Sequence, residues 1–286
     1  MLEFATVAMD TLVHVNIVSE RPRHQVEPHV DCALRWFGAV EQVCSRFDPS
    51  SEVMQLCRRV GEPVHVSTAL VQLVDFALAL ARLSEGAFDP TLGVELEQRG
   101  YATDYRTLRP STSGIALRDV SFRDVAVDRR TETITLRQPL VLDLNSVAKG
   151  LAIDLAVREL RAFDNLTIEA GGDLFARGRN ANGKRWRVGI QDPRGDGVLA
   201  RTLAISEAAV CTSGAYERGA HVLDGRTHQP VAGLASVTVV APTALAADGF
   251  STTALALGVR RGRELLHHQG LQGVLVTTEG EVVECP

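Results

Sequence analysis

The chain has 286 residues, 45% of them hydrophobic and 23% charged, with a formal net charge of −5. This is the mixture of a soluble globular protein long enough to bury a sizeable core, and it excludes the cationic surface that nonspecific nucleic-acid binding requires. Only two of the 30 basic residues are lysines, Lys149 and Lys184, and the arginines are dispersed among acids.

Alternation over Thr11–Ile17 predicts an opening strand. Apolar positions at Val30, Leu34, Phe37, Val40, Val43 and Phe47 predict a helix over about residues 26–47. Pro49-Ser50-Ser51 breaks it and offers a new cap with Glu52 close behind. Leu70–Leu83 is apolar almost all round, the pattern of a buried helix, and ends in Ser84-Glu85-Gly86. Asp124–Val127 and Thr133–Leu136 read as the arms of a hairpin. A helix over about 147–162 and a strand near 166–170 follow. Trp186–Ile190 reads as the second strand of a hairpin turning at Asn180–Gly183. A strand at Ser236–Val240, helices at Asp248–Gly258 and Gly262–Gln269 and a strand at Gly273–Thr277 complete the series. Helices and hairpins without regular βαβ alternation predict an α+β fold. No repeat or composition break marks a linker, so residues 1–286 are expected to form one domain, if two subdomains then intimately packed ones.

Cys32, Cys44, Cys57, Cys211 and Cys285 are odd in number and widely spaced, without a C-x-x-C pair, which favours a reducing compartment over a disulfide framework or thiolate zinc site. Met1-Leu2-Glu3-Phe4 carries no basic region, and the uncharged stretch Val231–Ala247 is too short and polar for a membrane helix. The expectation is a cytoplasmic protein with neither membrane nor nucleic acid as partner.

Two turns compete as phosphate sites. Gly178–Lys184 matches the first seven positions of a P-loop, but Arg185 stands where Ser or Thr would hold magnesium, and a strand pattern follows instead of a helix. Its Asn-Gly chemistry predicts a hairpin turn. Lys149 lies in Asp143–Asp154, which reads as a strand end, a small polar turn and a helix start that Asn145 or Ser146 could cap. Free N–H groups of a first helical turn with a lysine beside them suit a phosphate, although a solvated lysine fits the same pattern. Gly150 signals close approach of backbone or ligand. Ile168–Asp173 ends a strand in Gly171-Gly172 and a carboxylate. Asp248 and Thr252, spaced i, i+4, place a carboxylate and a hydroxyl on one helix face, a donor pair suited to Mg²⁺ or to plain capping. His221, in a polar, turn-rich stretch, could exchange protons near neutral pH.

Each signal is weak alone, but their order is specific. Met9-Asp10-Thr11, Phe88–Gly93, Asp143–Asp154, Glu169–Asp173, Thr212-Ser213-Gly214 with Tyr216-Glu217-Arg218, His221, and Ala247-Asp248 with Thr252 together resemble the ApbE-type FAD:protein FMN transferases over nearly the whole chain. The resemblance implies an ApbE-like fold, a mixed or antiparallel sheet flanked by helices with the flavin nucleotide in a cleft. It implies a Mg²⁺-dependent enzyme that cleaves FAD, passes FMN to a Thr or Ser hydroxyl of an acceptor flavoprotein and releases AMP. It assigns the metal to the Ala148 carbonyl, Asp248 and Thr252, and the nucleotide to Met9, Asp89, Lys149, Asp154, Gly171, Gly172, Asp173 and Ser213. His221 and Lys149 take the catalytic places. The sequence departs from the family pattern at Gly225, where proline is usual, at His228, where glycine is usual, and at Cys57 and Asp10. Two alternatives stay open, an FAD-binding protein without transfer and an FAD pyrophosphatase yielding FMN and AMP. A redox flavoprotein is disfavoured by the lack of a GxGxxG fingerprint or redox Cys pair.

Overall fold

The computed structural model describes residues 1–193, 195, 197–214 and 222–285. An eight-stranded antiparallel sheet forms its centre, and strand order in space equals order in the chain. The strands are β1 (Leu2–Ala8), β2 (Thr11–Ile17), β3 (Leu166–Ala170), β4 (Asp173–Arg177), β5 (Ala208–Gly214), β6 (Leu234–Ala241), β7 (Gln272–Thr277) and β8 (Val282–Cys285). The sheet alternates as an antiparallel sheet with a buried face should: Val13, Val15 and Ile17 of β2 are all fully buried.

Among the described residues six α-helices accompany it: α1 (Arg23–Cys44), α2 (Glu52–Cys57), α3 (Thr68–Leu83), α4 (Gly93–Gln98), α5 (Asn145–Glu159) and α6 (Ala244–His268). Val26, Val30, Ala33, Phe37, Val40 and Cys44 make the buried stripe of α1, which packs on α5; α5 in turn packs on α6. One hydrophobic core runs from Phe4 to Cys285 between these helices and the sheet. The opposite face is partly covered by a two-stranded ribbon, Trp186–Gln191 with Leu199–Ile205, whose Trp186, Val188 and Leu203 pack on Ala176 and Val210. The fold is α+β, as the mixture of periodicities predicts.

Several boundaries differ from the sequence reading for identifiable reasons. Helix α1 stops at Cys44 because Ser45 is extended, so Phe47 belongs to the loop beyond and not to the stripe. Helix α5 begins at Asn145, and neither Asn145 nor Ser146 caps it; the Asn145 amide donates instead to Asp143 Oδ1 at 2.9 Å. The turn at Asn180–Gly183 is present, with the Gly183 amide bonded to the Asn180 carbonyl at 2.9 Å. Trp186–Gln191, however, pairs with Leu199–Ile205 and not with the strand before that turn, because its apolar side chains complete the second face of the main sheet. The two predicted C-terminal helices run on as one element broken at Gly258, whose φ of 76° only glycine adopts cheaply.

Candidate active site

Two tight turns and two helix starts meet around a cavity of about 530 Å³. The β1–β2 turn is closed by Met9 and Asp10, both at positive φ (52° and 61°), the backbone twist of a two-residue hairpin. A methionine there is conformationally unfavourable, and Met9 and Asp10 both line the cavity. The β3–β4 turn is Gly171-Gly172, at φ 57° and 86°. A side chain at Gly171 would come within 2.7 Å of Thr11 Oγ1, so the paired glycines let two hairpin turns sit edge to edge. Gly171 lines the cavity; Gly172 lies outside its lining.

The helices contribute the charged end. Lys149, on the first turns of α5, pairs with Asp173, which begins β4 and is fully buried. The other Asp173 oxygen accepts the Thr212 amide at 3.2 Å. Asp248 on α6 is buried and accepts the Gly150 amide at 3.1 Å. Burial works against the Lys149 charge, yet Asp173 and Asp248 outweigh it and raise its pKa, so the ammonium is firmly held. Burial pushes Asp248 well above the ordinary carboxylate range, and the neighbouring Asp173 adds to this. Thr252 lies one turn along from Asp248, and its hydroxyl bonds Ser213 Oγ at 2.7 Å; Ser213 Oγ also reaches Ser251 Oγ at 2.8 Å. Lys149, Ser213, Asp248 and Thr252 all line the cavity.

Two buried carboxylates thus face one lysine, with hydroxyls alongside. A buried carboxyl whose raised pKa marks a shortage of positive partners, with hard oxygen donors beside it, fits a divalent cation such as Mg²⁺, which takes few protein ligands and fills its shell with phosphate oxygens. Among the described residues no cluster of three or more His, Cys, Asp or Glu could hold a metal by itself. Asp248 and Thr252 offer a carboxylate and a hydroxyl to the cavity, whereas Ala148 is buried in the first turn of α5 and lies outside the cavity lining.

Asp154 is placed differently from the rest. Its two oxygens accept the Ala244 and Leu245 amides at 2.7 and 3.0 Å, so it caps α6 and lies outside the cavity lining. Gly150 serves the same junction, since a side chain there would meet the Ala244 carbonyl at 2.5 Å. Together they seat the helix that carries Asp248. Asp89 lines the cavity, but its oxygens bind Thr91 and the Phe122 amide, and burial raises its pKa. Cys57 is buried in α2 away from the cavity, and burial pushes its thiol up to about 11. His221 and Tyr216 lie outside the described residues. Just beyond them, the short hairpin Leu223–Asp224 with Gln229–Pro230 is pinned to the loop that bears Asp89. Gly225 donates its amide to the Ala87 carbonyl at 2.9 Å, and a side chain at Gly225 would strike the Gly86 carbonyl at 2.5 Å. Proline could supply neither the donor nor the space. His228, at φ 57°, is held by Glu95 Oε2 at 2.6 Å.

The other half of the cavity was not legible in the sequence. Arg46, Phe47, Phe88, Tyr101 and Tyr105 line it, brought together from the loops after α1, α3 and α4. Apart from Phe88, which opens the Phe88–Gly93 motif, isolated aromatics and one arginine among many carry no motif.

Comparison with known proteins agrees with this arrangement. The ApbE family model matches residues 9–275, a span that begins at the β1–β2 turn and ends in β7. The chain is 32% identical to the FAD:protein FMN transferase of Salmonella typhimurium, over 96% of this chain and 83% of that protein. It is 31% identical to the FAD:protein FMN transferase of Treponema pallidum, over 92% and 80%. Among solved structures, the ApbE protein of Thermotoga maritima superposes with a TM-score of 0.86 at 30% identity, covering 99% of this chain and 96% of that one. The match runs through every turn and helix that builds the cavity, and the chain belongs to the ApbE family.

Proposed function

We propose that this protein is an FAD:protein FMN transferase that uses Mg²⁺ and a Thr or Ser hydroxyl of a cytoplasmic acceptor flavoprotein. The observation that carries this reading is the charged end of the cavity, where Lys149, Asp248 and Thr252 converge from two helices beside a volume with aromatic walls. A dinucleotide with flat rings and a central pyrophosphate matches both halves.

In this reading the hydroxyl oxygen of the acceptor attacks the phosphorus of the FMN half. The P–O bond to the AMP phosphate breaks, AMP leaves, and the hydroxyl proton passes to a base. His221 is the residue we assign to that proton. Lys149, held by Asp173, stabilises charge on the phosphoryl oxygens without reorganising as it forms. Mg²⁺, when bound by Asp248, Thr252 and the Ala148 carbonyl, would supply further neutralisation of the phosphates. Ser213 orients the Thr252 hydroxyl. Gly171 lets the two hairpin turns approach, and Met9 sits at their rim. Asp89 fixes the loop beneath, and Asp154 seats α6.

The test is incubation with FAD, Mg²⁺ and a candidate flavoprotein, followed by mass analysis of all products. A covalent FMN adduct on a Thr or Ser of the acceptor together with AMP is the expected result. Free FMN plus AMP would replace transfer by hydrolysis, and intact bound FAD would leave a binding protein.

A further inference from the structure

Arg46 is a charged feature of the cavity wall that the reaction described above leaves unused. The residue is 4% exposed and lines the cavity. Its Nε donates to Asp143 Oδ2 at 2.8 Å and its Nη2 donates to the Tyr101 carbonyl at 2.5 Å. The guanidinium face lies over the Phe47 ring, 4.2 Å from its centroid. Nη1 is buried and has no hydrogen-bond partner among the described residues. A buried donor on a charged group is costly to leave unmatched, so a fully packed guanidinium with one open donor beside a cavity points to a partner that arrives with the ligand.

The chemistry of that partner can be narrowed. Asp143 already balances the Arg46 charge, so the unmatched donor suits a neutral acceptor better than a second anion. Phe47, Phe88, Tyr101 and Tyr105 line the same cavity and suit a flat ring. Of the two rings of FAD, the flavin carries two in-plane carbonyl oxygens, whereas the edge of adenine sets an amino donor next to its ring nitrogens. We propose that Arg46 is a specificity-determining residue whose Nη1 donates to a carbonyl oxygen of the flavin ring. This inference rests on the flavin-transfer reading.

The experiment is calorimetric titration, in the presence of Mg²⁺, of FMN and of ADP into the wild type and into Arg46→Lys, with FAD into the wild type as reference. Arg46→Lys keeps the charge but loses the fork. It is expected to weaken FMN roughly tenfold, the size of one charge-assisted hydrogen bond, and to change ADP less than about twofold. Equal losses for FMN and ADP, or none for FMN, overturn the assignment. Should Arg46→Lys fail to fold, the wild type alone decides with 2-thio-FMN and 4-thio-FMN, in which sulfur replaces one carbonyl oxygen. One of the two is expected to bind several-fold more weakly than FMN because sulfur is the poorer acceptor, and equal binding of all three contradicts the proposal. If the wild type binds no FAD, the flavin-transfer reading itself fails; if it binds FAD and only the discrimination is missing, Arg46 alone is misassigned.

Discussion

The two lysines of this chain each stand beside a glycine, Lys184 in a hairpin turn and Lys149 in the first turns of helix α5. Lys184 completes the better phosphate motif in the sequence, yet its turn is closed by its own backbone. The Asn180 amide donates to the Lys184 carbonyl at 2.8 Å, Asn180 Oδ1 accepts the Asn182 and Lys184 amides, and Lys184 itself is exposed. The Asn180, Asn182, Gly183 and Lys184 amides are thereby already used. Lys149 sits in the plainer motif, but the fold surrounds it with Asp173, Asp248 and the cavity. Whether a segment can hold a phosphate depends on which backbone donors stay open and which charges gather after folding, and glycine spacing alone does not report that.

The contrast can be broken most severely at the carboxylate we propose for the metal. Asp248→Ala is expected to abolish Mg²⁺-dependent FAD turnover, a loss of roughly a thousandfold or more, measured as AMP release at saturating FAD. Next in size is the lysine's own support. Asp173→Asn leaves the shape but removes the charge that holds Lys149, and about a tenfold to hundredfold rise in KM for FAD is expected with a smaller change in kcat. His221→Ala is expected to lower kcat by roughly a hundredfold or more with little change in FAD affinity, and a wild-type rate would remove it from the proton-transfer role. Asp154→Ala removes the acceptor for two amides at the start of α6, and thermal melting should report about 1–2 kcal/mol of lost stability. At the bottom of the scale, Lys184→Ala should change stability by less than about 0.5 kcal/mol and leave turnover intact, because its side chain is exposed and its turn is held by backbone.

What the sequence revealed follows the range of the interaction concerned. Strands β2, β3 and β7 and helix α3 were legible because their burial is periodic over one continuous segment. Ser67, which caps α3 by accepting the Leu70 amide at 3.2 Å, reinforces the start of that helix. Strands β1 and β5 escaped because Leu2–Ala8 mixes Glu3, Thr6 and exposed Val7 into its run, and Ala208–Gly214 is small and polar. The ordered motifs located the charged end, since each is a local turn. They could not show that Gly150 and Asp154 serve the start of α6, 90 residues later in the chain. Nor could they find Arg46, whose partners Asp143 and Tyr101 lie 97 and 55 residues away.

The most direct measurement compares AMP release by the wild type, Lys149→Met and Lys184→Met with saturating FAD, Mg²⁺ and acceptor flavoprotein, with melting curves confirming that all three are folded. Lys149→Met should lose about a hundredfold or more while Lys184→Met stays within about twofold of the wild type. Equal rates for the two variants, or a loss confined to Lys184→Met, would contradict the placement of phosphoryl transfer at the Lys149 turn.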